Sequence, residues 1–215
     1  MDTNSYYLRM MGIMEWDSKD QGSHQKIMST MKGHDWQLLE QQIGNCYKCN
    51  LCKTRSNVVI GSGDKQSSLL IVGEAPGFHE DQKGLPFVGR AGNLLTNMLL
   101  SVGLSREFTY ITNIIKCRPP DNRDPLITEI ESCTPYLEEQ VKLIAPKLIL
   151  ALGRHAAHYL LGNKESMMKL RGVQHVFRDT QIPLIVTYHP AYLLRNPTDK
   201  KLAYDDLLQV KALLE

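Results

Sequence analysis

The chain has 215 residues, 42% of them hydrophobic and 22% charged, with a net charge of +2. That length suits one domain, or one domain plus an appendage, with a substantial core. No apolar stretch approaches the ~20 residues that span a bilayer, and the start, with Asp2, carries no apolar block of signal-peptide type. A cytoplasmic protein with no membrane partner is expected. Beyond residue 45 the chain holds 21 basic against 17 acidic residues, a modest surplus that permits contact with a polyanion without requiring it.

Residues 1–33 are rich in Met, Ser, Asp and Gln with no sustained period, and read as a flexible N-terminal extension; a start at Met28 or Met31 would make much of it dispensable. A single domain is expected over 34–215. Trp36, Leu39 and Ile43 fall on one side of a short helix from Asp35 to about Ile43. Asn57–Ile60 reads as an edge strand ending at the Gly61-Ser62-Gly63 turn. Four apolar runs follow: Leu69–Val72, Tyr110–Thr112, Leu148–Ala151 and Leu184–Thr187. Their composition marks strands buried on both faces. Helices are expected between them: Gly92 to Val102 with Leu94, Leu95, Met98 and Leu99 inward, one from near Pro125 to about Ile144, and a third after Gly153. A last helix runs from Asp199 to Leu214. This is an α/β order with parallel strands.

Each core strand ends in a chemically loaded tip: GEAPG, Asn113, Gly153 and His189-Pro190. In such sheets ligands bind beyond the carboxyl ends of the strands, so Glu74, Glu80, Asn113 and His189 are expected to converge on one cleft, Glu80 by way of a short loop. GEAPG lacks the Gly-Lys-Ser ending and the G-x-G-x-x-G pattern, which argues against P-loop or dinucleotide binding. Asn113 carries donor and acceptor and can read a base edge; a turn-forming Asn is the ordinary alternative. Phe87, flanked by glycines, suits stacking on a planar ligand, although core filling is as common a fate. His189 is locked by Pro190 after a core strand, as a rigidly aimed imidazole needs. The following Leu193, Leu194 and Arg195 have the composition of a wedge that enters a duplex, with the arginine on phosphate. His79, His155, His158 and His175 read as surface or packing residues.

Five cysteines in a cytosolic chain point to metal, catalysis or packing before disulfides. Cys46-x2-Cys49-x2-Cys52 precedes the first core strand; Cys117 and Cys133 lie at a strand tip and on the next helix. Two ligands from each region can close a four-thiolate site holding zinc or an iron–sulfur cluster, and spacing alone does not separate these.

GEAPGFHED, GLPFVGRAGNLL, YITNIIKCRPPDNR and HPAYLLRNP, in that order, resemble the motifs of the family-four, iron–sulfur uracil-DNA glycosylases over about Asn45 to Leu214. The resemblance implies a three-layer α/β/α sandwich around a four-stranded parallel sheet. It implies a 4Fe–4S cluster on Cys46, Cys49, Cys117 and Cys133, with Cys52 a bystander. The implied activity is hydrolysis of the bond between uracil and its sugar in single- and double-stranded DNA, leaving an abasic site for base excision repair, by a monomer. His189 would stabilise the departing uracil anion, Asn113 read N3–H and O4, and Phe87 stack. Glu80 would lie beside C5 and exclude the methyl of thymine. Glu74 and Ala75 would also bind the uracil; other branches carry an aspartate at the place of Ala75, which leaves the water to Glu74 or to backbone carbonyls around Ala75 and Pro76. Two rivals are a metal-stabilised nucleic-acid-binding module that lost activity, and the branch that traps its product covalently, whose Arg-Arg-Ile-His-type insertion does not occur here.

Overall fold

The computed structural model describes residues 35–215. The proposed extension over 1–33, with its alternative starts, lies outside them. Residues 35–44 are helical (α1), and Trp36, Leu39 and Ile43 are all buried as their spacing predicts. The compact unit that carries the sheet spans Leu39–Glu215.

Its sheet has six strands, β1 (Ser62–Gly63), β2 (Leu69–Gly73), β3 (Tyr110–Asn113), β4 (Leu148–Leu152), β5 (Gln174–Val176) and β6 (Pro183–Thr187), in the order β1-β3-β2-β4-β6-β5. The four apolar runs form the parallel centre, β3-β2-β4-β6. Two short antiparallel strands, β1 and β5, extend its edges beyond the four strands expected. The chain leaves β2 toward β3 and leaves β4 toward β6, so the topological switch lies between the tips of β2 and β4, where α/β sheets open a crevice.

The helices of this unit are α2 (Phe78–Lys83), α3 (Arg90–Ser101), α4 (Ile127–Ile144), α5 (Arg154–Leu161), α6 (Met167–Leu170), α7 (Pro190–Arg195) and α8 (Lys200–Leu214). Leu95, Met98 and Leu99 of α3, Leu193 of α7, and Ala203, Leu207 and Val210 of α8 share one buried cluster with Leu69, Ile71, Ile111, Leu150 and Ile185 of the strands. These strand residues alternate along their strands, so they line one face of the sheet. The opposite face of β3 meets α4: Gln140 donates to the Tyr110 hydroxyl at 3.4 Å, and Thr112 Oγ1 lies 3.3 Å from Gln140 Oε1. Helices therefore cover both faces. The expected edge strand at Asn57–Ile60 is irregular instead. Asn57 turns its amide onto the carbonyls of Asp81 and Gln82, and pairing begins only at Ser62. Among the described residues no helix is long and apolar enough to cross a membrane.

One buried ion pair fixes the end of β6 just before His189. Asp206 of α8 is fully buried and accepts from Arg171 Nη2 at 2.8 Å, Arg171 Nε at 3.2 Å and Thr187 Oγ1 at 2.8 Å. Removing the carboxylate leaves the largely buried guanidinium uncompensated. Asp206→Ala is expected to lower unfolding stability in urea by roughly 3–5 kcal/mol; a loss below about 1 kcal/mol would show the pair to be incidental.

Candidate active site

A cleft of about 1210 Å³ opens beyond the carboxyl ends of the parallel strands, and Glu74, Ala75, Glu80, Phe87, Asn113, His189 and Arg195 all line it. The expected convergence is therefore present. Gly73 and Asn113 are paired across β2 and β3. A Cβ on Gly73 would overlap Asn113 Oδ1 and stand 2.7 Å from Phe87 Cζ, so a glycine is required for amide and ring to meet there.

Asn113 is buried, and its Oδ1 has no hydrogen-bond partner. An orphaned buried acceptor costs about 1–3 kcal/mol, and native proteins accept such a cost where a ligand completes the bond. Phe87 is buried with φ +53, a conformation that bulky residues seldom adopt. It is held there from two sides. Arg106 donates to the carbonyls of Phe87 at 2.8 Å and Pro86 at 2.9 Å. Glu80 Oε1 accepts from the amides of Val88 at 2.8 Å and Gly89 at 3.0 Å. Glu80 sits in the first turn of α2, not in the expected loop.

His189 caps α7: its Nδ1 accepts from the Ala191 amide at 3.1 Å. That bond assigns the ring proton of the neutral imidazole to Nε2. The ring lies 5.7 Å from that of Phe87, tilted by 34°. Burial, with the charge of Arg195, pushes its pKa down to about 4, so at neutral pH it is an uncharged donor. Glu74, at the tip of β2, is shifted the other way. Burial and then the charge of Asp124 raise it to about 7, against the opposing charge of Arg154.

One wedge residue is corrected. Leu193 is fully buried in the core, because the segment after His189 coils into α7 and turns that side chain inward; it cannot enter a duplex. Leu194 is half-buried and Arg195 exposed. Asp124, Arg154 and Met168 of the cleft went unread in the sequence, and His155, expected as a surface or packing residue, lines the cleft as well. For His155 a signal existed, since it follows Gly153 at one of the four strand tips.

A second, smaller cavity lies behind Asn113. All five cysteines line it, with Arg55, Lys116 and Tyr136; Cys52 is among them. Arg55 Nη1 donates to Cys117 Sγ at 3.0 Å, and the Lys116 amide donates to Cys133 Sγ at 3.3 Å. Burial raises the thiols of Cys49 and Cys133 and pushes Cys117 to about 11, against Arg55. Lys116 is buried, and its Nζ bonds Thr112 Oγ1, the Asn113 carbonyl and Gln140 Oε1 at 2.6–2.7 Å. These are neutral oxygens, so the ammonium still lacks a compensating anion.

The chain matches the family model for the uracil DNA glycosylase superfamily over residues 60–209. It is 42% identical over 182 residues to a type-4 uracil-DNA glycosylase of Sulfurisphaera tokodaii, covering 81% of this chain and 83% of that protein. Similar matches are those of Archaeoglobus fulgidus, 46% identical over 73% of this chain and 82% of the relative, and Thermotoga maritima, 39% identical over 83% and 94%. With the sheet, the cleft and the thiol cavity described above, these similarities place the chain in the type-4 uracil-DNA glycosylases of that superfamily.

Proposed function

We propose that this chain flips uracil out of DNA and hydrolyses the bond between N1 and the sugar, leaving an abasic site. The observation that carries the reading is the unpartnered Asn113 Oδ1, buried at the cleft wall beside the Phe87 ring. Uracil offers N3–H to that acceptor and O4 to the amide nitrogen, whereas cytosine presents the reversed pattern. A site built to make such bonds rejects the wrong partner strongly, because its own polar groups are then left unpaired. Phe87 stacks on the extruded ring. Glu80 holds the Phe87 loop through two amide bonds and, facing C5, excludes the methyl of thymine.

The leaving group is a uracil anion, and His189 meets it as a neutral donor through Nε2–H. A preorganised donor of this type stabilises charge as it develops. Glu74, with the backbone around Ala75 and Pro76, orients the water, and its raised pKa suits proton abstraction near neutrality. Leu194 enters the gap left in a duplex while Arg195 and Arg154 meet phosphates. Single and double strands are both substrates of a monomer acting in the cytoplasm.

The thiol cavity fits an anionic metal–thiolate group. Its walls supply two cations, Arg55 and Lys116, and two donors aimed at sulfur. We assign a 4Fe–4S cluster to Cys46, Cys49, Cys117 and Cys133, with Cys52 a neighbour. Bound, the cluster supplies a cross-link between the 46–52 segment, the tip of β3 and α4.

His189→Ala and Asn113→Ala are each expected to slow uracil release from a single-stranded oligonucleotide by about 100-fold or more; losses within a few-fold for both would refute the cleft. Leu194→Ala should slow duplex substrates about tenfold more than single strands, and equal losses would remove the wedge. Leu193→Ala should instead cost roughly 2–5 kcal/mol of stability. Anaerobically purified protein should be coloured and hold iron and sulfide in equal amounts; a colourless, zinc-bearing protein would overturn the cluster assignment.

A further inference from the structure

Three side chains at the open end of the cleft have no part in reading the base. His155, in the first turn of α5, stands between Glu74 and Asp124: its Nδ1 is 3.8 Å from Glu74 Oε1 and its Nε2 is 3.6 Å from Asp124 Oδ2. The three groups lie within 4.8 Å of one another. They come from the tip of β2, the start of α5 and the loop before α4, and meet at the switch point between β2 and β4. Exposure rises along the row, from 26% for the Glu74 side chain to 37% for His155 and 74% for Asp124. It leads from the cleft to solvent.

We propose that Glu74, His155 and Asp124 form an exit path for the proton of the hydrolytic water. The proposal rests on the assignment of Glu74 to that water. The water oxygen bonds to C1′ of the sugar, and the C1′–N1 bond breaks with its electron pair going to N1 of uracil. The water proton passes to Glu74 and from there to His155 Nδ1. As His155 takes it, the Nε2 proton leaves to Asp124 and then to bulk water. The uracil anion takes its own proton from solvent after release, so no co-reactant is needed. The gaps of 3.6 and 3.8 Å are ion-pair distances, and catalytic hydrogen bonds are commonly long before substrate closes them.

The charged groups facing Glu74 are Asp124 from the loop before α4, and Arg154 and His155 from the start of α5; Arg154 Nη2, which can only donate, is also 3.4 Å from His155 Nε2, so the path requires that contact to give way when Nε2 carries its proton toward Asp124. Asp124 raises the Glu74 carboxyl and Arg154 lowers it. A base without a next acceptor would keep the proton it takes. His155 supplies that acceptor, and Asp124 holds the imidazole in line.

The test is multiple-turnover uracil release from a single-stranded oligonucleotide between about pH 5.5 and about pH 9, with and without added imidazole. Wild type should rise with pH to a plateau through a midpoint near 7. His155→Ala, or His155→Gln should the first prove unstable, should lose about tenfold at the plateau without a change in KM and regain rate with imidazole. Asp124→Asn should move the midpoint down, and Arg154→Met should move it up. A His155 variant within twofold of wild type at every pH, or a loss that imidazole does not restore, would overturn the path. Glu74→Gln separates the two levels. A loss of about 100-fold or more that imidazole does not repair keeps Glu74 as the base even where the path fails. Retained activity removes Glu74, and the path with it.

Discussion

The missing side chain of Gly73 is the constraint on which the recognition site depends. Because β2 and β3 are paired through Gly73 and Asn113, any Cβ at that position would occupy the space where the Asn113 amide and the Phe87 ring meet. A second close approach supports the first: the Phe87 carbonyl packs where a Cβ on Gly92 would stand. The ring is thus held by backbone geometry, by Arg106 and by Glu80. The strained φ of Phe87, worth about 1–3 kcal/mol, persists because these contacts over-determine it.

Burial then divides the electrostatics of the cleft. It keeps His189 neutral and a donor, and it raises the Glu74 carboxyl to about 7, the divergence of two titratable groups on which the proposed division of roles rests. Behind the cleft, Lys116 connects the two cavities. Its ammonium fastens the Asn113 carbonyl to Gln140 of α4 while its amide donates to Cys133. In the proposed holoprotein, thiolate charge offsets the buried cation, and the cross-linked segment steadies the backbone that presents Asn113.

The parallel centre of the sheet was legible because residues such as Leu69–Val72 and Leu148–Ala151 are apolar on both faces, and the tip rule followed from that. Gln174–Val176 was not, since a partly exposed edge strand has no apolar period. Glu80 was placed in a loop because α2 is six residues long and too short to show a helical stripe. Leu193 was misread as a wedge because adjacent leucines look equivalent until α7 turns one of them into the core. His155 was set aside as a surface or packing residue and Asp124 went unread because neither carries a motif; only the switch between β2 and β4 brings them to Glu74.

The central claim is that one amide, one imidazole and one aromatic ring surround a single extruded uracil. A crystal structure of the protein with uracil bound tests it most directly. The account predicts the base stacked on Phe87, its N3–H and O4 on the Asn113 amide and its O2 on His189 Nε2. A base bound elsewhere in the cleft, with the Asn113 amide and His189 facing different groups, would contradict it.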